Sequence, residues 1–155
     1  MEPLKLEDLP ANAVVLIDTA PIVYVLEGHP QLAQRFRPIF EAKEAGALQL
    51  AITTVTITEV MTGPAQSLFF TRDRDDDRSN YNELAARYRE VFSSWRVISV
   101  DYDIACQAAR LRAIYRLRLP DAVEVASALA INADALVTHD RDFTRLKSGP
   151  MRIMS

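Results

Sequence analysis

Short apolar runs alternate with amphipathic segments along the chain, a pattern that indicates an α/β domain with a mostly parallel sheet. Residues 13–17 are apolar throughout, which is typical of a strand buried on both faces. The same reasoning predicts further strands at 48–53, 96–100, 135–138 and, at a sheet edge, 151–154. We therefore expect a single domain over 1–155, with its core at about 13–154.

Capping and breaking residues predict the helices between these strands. Asp18 followed by Pro21 begins a helix, and Gly28-His29-Pro30 ends it. A helix carrying Glu59 is predicted to end before Gly63-Pro64. The other helices are predicted at 31–45, 83–92, 101–114 and 120–131. The mixed-charge stretch within 67–80 is interpreted as a solvated loop.

Four acidic residues stand at the ends of these predicted elements. Asp18 and Asp140 each follow a strand, Glu59 lies in the first turns after the second strand, and Asp121 lies in the first turn of the helix that Pro120 begins. Ligands of parallel sheets bind at the carboxyl ends of the strands, so these acids can converge on one rim. Packed carboxylates repel one another unless a hard divalent cation joins them, and magnesium and manganese prefer oxygen ligands.

A structural role is the alternative for each acid taken alone. Asp18 and Asp121 are also ordinary residues for a helix N-terminus. Glu59 is harder to explain in this way, because it lies in an otherwise apolar segment that contains a run of threonines.

Charge and composition exclude fewer classes of function than the four acids suggest. The net charge of −3 becomes +1 when the four acids are set aside, so it neither excludes nor favours a nucleic-acid substrate. Cys106 is the sole cysteine and cannot form an internal disulfide. No apolar run approaches the roughly 20 residues that span a bilayer. The acidic N-terminal stretch differs from a secretion signal, so a cytoplasmic location without membrane contact is expected.

Four segments of the chain carry the predicted acids, in the order VVLIDTAPIVYVLEG, ITTVTITEVMTG, LRLPDAVEVASALA and ADALVTHDRDF. They resemble the motifs of PIN-domain nucleases in the family's order, and the resemblance is closest to the VapC-type toxins of bacterial toxin–antitoxin pairs. The resemblance implies a three-layer, flavodoxin-like fold and an acidic tetrad of Asp18, Glu59, Asp121 and Asp140, with Thr138 as a hydroxyl residue near the metal. It also implies Mg²⁺ or Mn²⁺ as cofactor, endoribonuclease activity on RNA, a homodimer, and inhibition by a small cognate antitoxin.

The chain departs from the family pattern at two positions beside the tetrad. Ala20 stands where many members carry Ser or Asn, and His139 replaces a frequent Asn. Neither change removes a ligand, but both bear on metal affinity and substrate choice. His139 could bind metal or shuttle a proton, although an isolated histidine beside one acid more often does neither.

Secondary candidates surround the tetrad. Glu124 lies one turn after Asp121 and is either a ligand through water or an exposed or supporting acid. Asp142 either supports the site or, as the favoured interpretation, caps a helix before Phe143. Arg116 and Arg118 belong to an arginine cluster that either meets RNA phosphates or forms a solvated helix surface.

Two other functions remain open from the sequence. One is an RNA- or protein-binding module that keeps the fold without nuclease activity, and the other is a solitary RNA-processing nuclease. A nucleotide-binding protein is set aside, because the first strand-to-helix turn, Asp18-Thr19-Ala20-Pro21, has no glycine fingerprint or phosphate-binding lysine loop.

Overall fold

A computed structural model describes residues 5–70, 74–146 and 151–155 of the chain. Five strands of these described residues form an all-parallel sheet in the order β3-β2-β1-β4-β5. The strands are β1 (Ala13–Ile17), β2 (Leu48–Thr53), β3 (Arg96–Ile98), β4 (Ala135–Val137) and β5 (Ile153–Met154). The predicted α/β class with a mostly parallel sheet is confirmed, and β5 lies at a sheet edge as expected.

In the described part of the chain, six α-helices lie between the strands, together with two short 3-10 helices at Leu6–Asp8 and Arg141–Leu146. The α-helices are α1 (Thr19–Leu26), α2 (Leu32–Glu44), α3 (Thr54–Phe70), α4 (Arg74–Phe92), α5 (Tyr102–Tyr115) and α6 (Leu119–Ala130). Local chemistry explains several starts. Asp101 accepts a hydrogen bond from the Ile104 N–H at 2.9 Å, and Pro120 lies in the first turn of α6.

Alternate residues of the central strands point into two separate apolar clusters, which gives the three layers. Val15 and Ile17 of β1 belong to a cluster formed with helices α1 to α4. Leu16 between them belongs to a second cluster formed with α5 and α6. Because successive side chains of a strand point to opposite faces, a fully apolar β1 is what a sheet covered on both sides requires.

The charged stretch differs from the prediction. The predicted loop at 67–80 is helical at 67–70 and 74–80, while residues 71–73 lie outside the described part of the chain. From residue 65 to 119 the sequence contains neither Gly nor Pro, so nothing in it opposes a helix strongly. Mixed charge alone indicated solvation and not the absence of a helix.

The predicted end of α3 is also wrong. The helix continues through Gly63 and Pro64 to Phe70. An interior proline removes one backbone hydrogen bond and costs about 3 kcal/mol. Pro64 is buried and α3 packs against α4, so tertiary packing outweighs this local cost. Within the described residues, no helix combines the length and apolarity needed to cross a membrane.

Candidate active site

The acidic residues meet where the strand order reverses. β1 lies between β2 and β4, so the chain turns to opposite sides of the sheet at the carboxyl ends of β1 and β4. Asp18 follows β1 and Asp140 follows β4 by three residues. The Asp18 N–H donates to the Val137 carbonyl at 2.9 Å, which holds the two strand ends together. Such a switch point is where parallel sheets bind ligands.

Thr138 forms hydrogen bonds with two of these acidic residues, Asp18 and Asp140. Its side chain is fully buried, and its hydroxyl donates to Asp18 Oδ2 at 2.6 Å. The same hydroxyl oxygen accepts from the Asp140 N–H at 3.0 Å. The Asp18 carboxylate also accepts from the Thr19 N–H at 2.7 Å, so both of its oxygens are oriented. The predicted hydroxyl residue thus contacts the predicted acids directly.

Glu59 reaches the same cleft from α3. It is exposed, and its Oε2 accepts a hydrogen bond from the Thr19 hydroxyl at 2.5 Å. Thr19 follows Asp18 at the start of α1, so this bond joins the start of α1 to the second turn of α3. The glutamate is positioned by one hydroxyl and otherwise faces solvent.

Arg118 connects three carboxylates on the opposite side of the cleft. Its Nε lies 3.2 Å from Asp121 Oδ2 and 3.1 Å from Asp142 Oδ2, and its Nη2 donates to Asp140 Oδ2. Asp121 is 6 % exposed, whereas Asp140 and Asp142 are partly exposed. Arg118 was predicted to bind RNA or to lie on a solvated surface, and its contacts with three acids were not anticipated.

Asp140 and Asp142 lie at the start of the 3-10 helix Arg141–Leu146. Asp140 Oδ1 accepts a hydrogen bond from the Asp142 N–H at 2.8 Å. The Asp142 carboxylate lies 3.1 Å from Arg118 Nε, so it contacts the same arginine as Asp121 and Asp140. The interpretation of Asp142 as a helix cap stays a prediction.

Glu124 lies beneath the cleft and is 2 % exposed, so the expectation of an exposed acid is wrong. Its Oε1 accepts from the hydroxyls of Thr53 at 2.5 Å and Thr56 at 2.8 Å. Its Oε2 is buried and has no hydrogen-bond partner among the described residues. A buried polar atom without a partner is costly, and it marks a place where a further polar ligand is favoured.

The four predicted acids line one cleft of about 400 Å³. Its lining residues are Asp18, Thr19, Ala20, Val23, Tyr24, Glu59, Arg118, Pro120, Asp121 and Asp140. Arg116 is exposed at the end of α5, where it adopts a left-handed φ of 56°, and it lies outside this set. The structure thus places acids from four separate motifs around one cleft, whereas the close group of carboxylate oxygens found among the described residues comes from Asp121, Asp140 and Asp142.

Burial and mutual repulsion shift the pKa values of the cleft acids. Burial raises the pKa of Asp18 to about 6, against the opposing hydrogen bonds from Thr138 and Thr19. Burial also raises the pKa of Glu124 to about 8, and the nearby Asp18 charge adds to the rise. Burial raises the pKa of Asp121 as well, but Arg118 opposes that shift. Clustered acids of this kind are typical of functional sites and bind cations well.

The aromatic surroundings of His139 favour a packing role. Tyr24 Oη and His139 Nδ1 lie 3.1 Å apart, and the His139 ring packs edge-on against the rings of Tyr24 and Phe36. Burial and the neighbouring Arg35 lower the pKa of His139. Both effects favour a neutral ring held among aromatic side chains.

The donor set fits a hard divalent cation. Asp121, Asp140 and Asp142 each offer a carboxylate oxygen, and these oxygens lie within 4.8 Å of one another. Carboxylate oxygens are the ligands that Mg²⁺ and Mn²⁺ prefer. Thiol and additional imidazole ligands, which would indicate zinc, do not belong to this cluster of described residues.

Comparison with known proteins decides the family. The sequence profile of the PIN domain matches residues 15–148, which covers most of the chain. The chain belongs to the PIN domain family. The predicted resemblance to this family and to its VapC-type proteins is confirmed. No curated protein sequence matches the chain.

Solved structures of similar fold include a toxin–antitoxin complex. A toxin–antitoxin complex from Klebsiella pneumoniae is 28% identical, with a TM-score of 0.60, and the match covers 83% of this PIN domain chain and 89% of that one. FitAcB from Neisseria gonorrhoeae is 18% identical with a TM-score of 0.69, covering 91% and 96%. VapBC2 from Rickettsia felis, bound to a DNA fragment from its promoter, is 18% identical with a TM-score of 0.61, covering 92% and 97%.

Proposed function

We propose that this PIN domain is a metal-dependent endoribonuclease that hydrolyses RNA phosphodiester bonds. The observation that carries the proposal is the convergence of Asp18, Glu59, Asp121 and Asp140 in one cleft at the sheet's switch point. Such a concentration of negative charge opposes folding unless a cation binds there, so its presence favours a metal site.

The proposed cofactor is Mg²⁺ or Mn²⁺, held by Asp121 and Asp140 with Asp18, Glu59 and Asp142 close by. Bound to these carboxylates, the ion would supply a water of lowered pKa and would neutralise charge on a phosphoryl oxygen. In the reaction, a water oxygen forms a bond to phosphorus and the bond to one ester oxygen breaks. The attacking water gives up one proton and the leaving oxygen takes up one, so the step balances.

The residues of the chain contribute orientation. The hydrogen bonds from Thr138 and Thr19 hold both oxygens of Asp18 in fixed directions. With a pKa of about 6, Asp18 is mostly ionised at neutral pH and can serve as a ligand. Arg118 lies at the mouth of the cleft, where its guanidinium can meet a phosphate.

We further propose that the chain is the toxin of a type II toxin–antitoxin pair. The support is the similarity to the Klebsiella pneumoniae toxin–antitoxin complex and to the FitAcB and VapBC2 structures. The proposed partners are the RNA substrate, a small cognate antitoxin and a second copy of the chain. The proposed compartment is the cytoplasm. A short neighbouring gene for a small DNA-binding protein would support the pairing, and its absence would favour a solitary RNA-processing nuclease.

Incubation of the purified protein with structured RNA tests the proposed activity. We expect cleavage with Mg²⁺ or Mn²⁺, and its loss in Asp18→Asn and Asp121→Asn. The loss should exceed about 100-fold, because residues that merely orient a metal ligand already cost about 10- to 100-fold. Asp103→Asn, which makes the same change at an exposed acid of α5, should cleave like the wild type.

Persistence of wild-type cleavage in excess chelator would contradict metal dependence. Absence of both cleavage and Mn²⁺ binding at millimolar concentration would favour the alternative of a binding module without nuclease activity.

A further inference from the structure

We propose that Arg118 and the divalent cation compete for the same carboxylates, and that the displaced guanidinium binds the RNA phosphate. This inference rests on the proposed function and adds a defined role for one residue of this chain. Its basis is the contact of a single guanidinium with Asp121, Asp140 and Asp142. These are the same acids whose oxygens are close enough together to hold a metal ion.

Steric and electrostatic effects make the two occupants exclusive. A small cation binds carboxylate oxygens at about 2.0–2.1 Å. The Arg118 Nε lies 3.2 Å from Asp121 Oδ2 and 3.1 Å from Asp142 Oδ2, which is the space that an ion shared by these acids would need. The guanidinium and a divalent cation on the same carboxylates would also repel each other strongly. A cation therefore binds these acids only as the guanidinium moves away.

The position of Arg118 allows that movement. Its side chain is 59 % exposed, so packing does not fix it. It is the N-cap residue of α6, with φ −66° and ψ 162°, and its side chain makes no capping hydrogen bond. Displacement of the guanidinium consequently breaks ion pairs at the cleft without removing a helix cap. The ion pairs with Asp140 and Asp142 are partly exposed and individually weak, and a bound cation would replace Arg118 as the counterion of the buried Asp121.

RNA provides the second binding partner for the displaced side chain. Arg118 and Pro120 both line the mouth of the cleft, so the guanidinium remains beside the proposed metal position after it leaves the acids. A guanidinium binds phosphate oxygens in a two-pronged manner and cannot lose its charge at neutral pH. Arg118 is thus a counterion of the acids before the cation binds and a substrate-binding residue afterwards.

A purely structural ion pair is the alternative explanation. In that case Arg118 would hold the start of α6 and the 3-10 helix Arg141–Leu146 in place for the metal. The two explanations predict opposite changes in metal affinity when the charge is removed. Competition predicts tighter metal binding, whereas a structural role predicts unchanged or weaker binding.

Calorimetric titration of Mn²⁺ into wild type, Arg118→Gln, Arg118→Lys and Arg96→Gln distinguishes them. Arg96 is exposed and begins β3, at the opposite edge of the sheet, so its variant removes the same charge away from the cleft. We expect Arg118→Gln to bind Mn²⁺ about fivefold more tightly, in keeping with the loss of a partly exposed ion pair. Arg118→Lys should fall between wild type and Gln, and Arg96→Gln should stay within about twofold of wild type.

RNA cleavage at saturating Mn²⁺ provides the second measurement. Arg118→Gln should raise KM for RNA more than it lowers kcat, since the lost contact is to substrate. Equal or weaker Mn²⁺ binding by Arg118→Gln, beside normal binding by the wild type, would overturn the competition. Failure of the wild type itself to bind Mn²⁺ would instead refute the proposed function. Thermal unfolding of each variant identifies any loss of fold, and Arg118→Lys then carries the test.

Discussion

The two sides of the acidic cleft hold negative charge by different means. The arginine-bridged side consists of Asp121, Asp140 and Asp142 with Arg118. The hydroxyl-bound side consists of Asp18, Glu59 and Glu124 with Thr19, Thr53, Thr56 and Thr138. The first side balances charge with a cation of the chain, whereas the second orients its acids with neutral donors.

The difference indicates how each side responds to a metal ion. On the arginine-bridged side a counterion is already present and has to be exchanged. On the hydroxyl-bound side, burial favours protonation, as the raised pKa values of Asp18 (about 6) and Glu124 (about 8) indicate. Neutral donors fix geometry without cancelling charge, so Asp18, which is mostly ionised at neutral pH, keeps its affinity for a cation.

Removal of the Thr138 hydroxyl should have the largest effect, because this hydroxyl orients Asp18 on the hydroxyl-bound side. In Thr138→Val, Asp18 loses an oriented hydrogen bond and the Asp140 N–H loses its acceptor. We expect Mn²⁺ affinity to fall by about 10- to 100-fold, as for other residues that orient metal ligands. Titration calorimetry measures this change. Thr138→Ser should recover most of the affinity.

Thr58→Val is the matched control for that experiment. Thr58 is exposed, and its hydroxyl donates to the Thr54 carbonyl of its own helix. Equal Mn²⁺ affinity in Thr138→Val and wild type would mean that the hydroxyl-bound side does not orient its acids for a metal.

Replacement of Glu124 should alter how stability depends on pH. The pKa of Glu124 is about 8 in the folded protein and 4.5 for the free side chain. The folded state therefore holds a proton that the unfolded state releases between these values, so Glu124 makes the wild type less stable as pH rises from about 4.5 to about 8. Glu124→Gln cannot ionise and should be more stable than wild type at pH 9, whereas the two should differ least at pH 5.

Denaturant unfolding at pH 5 and pH 9, without divalent cations, measures the effect of Glu124→Gln. The exposed Glu90→Gln change on α4 serves as the control and should follow the wild type at both pH values. Parallel pH profiles for Glu124→Gln and wild type would show that Glu124 is not held protonated by burial.

Replacement of His139, which stands between Thr138 and Asp140 in the sequence, should have the smallest effect. His139→Gln removes a ring that packs against Tyr24 and Phe36. We expect the free energy of unfolding to fall by about 1 kcal/mol, the usual contribution of an aromatic pair. RNA cleavage at neutral pH should stay near the wild-type rate. A pH-dependent loss of cleavage would assign His139 a chemical role instead.

The sheet and the tetrad could be predicted because they depend on local pattern. A fully apolar β1 and acids directly after strands specify which side chains reach the carboxyl edge of a parallel sheet. The length of α3 could not be predicted, since its passage through Gly63-Pro64 depends on packing against α4. The helical charged stretch was missed for a different reason, because charge pattern reports solvation more than backbone conformation.

The contacts of Arg118 and Glu124 also depend on tertiary structure. Arg118 stands three residues before Asp121, a spacing that suits an ion pair, but its reach to Asp140 and Asp142 requires knowledge of where β4 ends. For Glu124, the run of threonines at the end of β2 was the available signal. Polar residues in that otherwise buried segment need partners, and Thr53 and Thr56 find one in Glu124.

Anomalous diffraction from crystals grown with Mn²⁺ would show directly whether the acids of the cleft bind a divalent cation. We expect an anomalous peak between the carboxylates of Asp121 and Asp140, within reach of Asp18, with the Arg118 guanidinium moved off these acids. Saturating Mn²⁺ with no peak in the cleft, or a peak bound only to acids outside it, would contradict the proposed metal site.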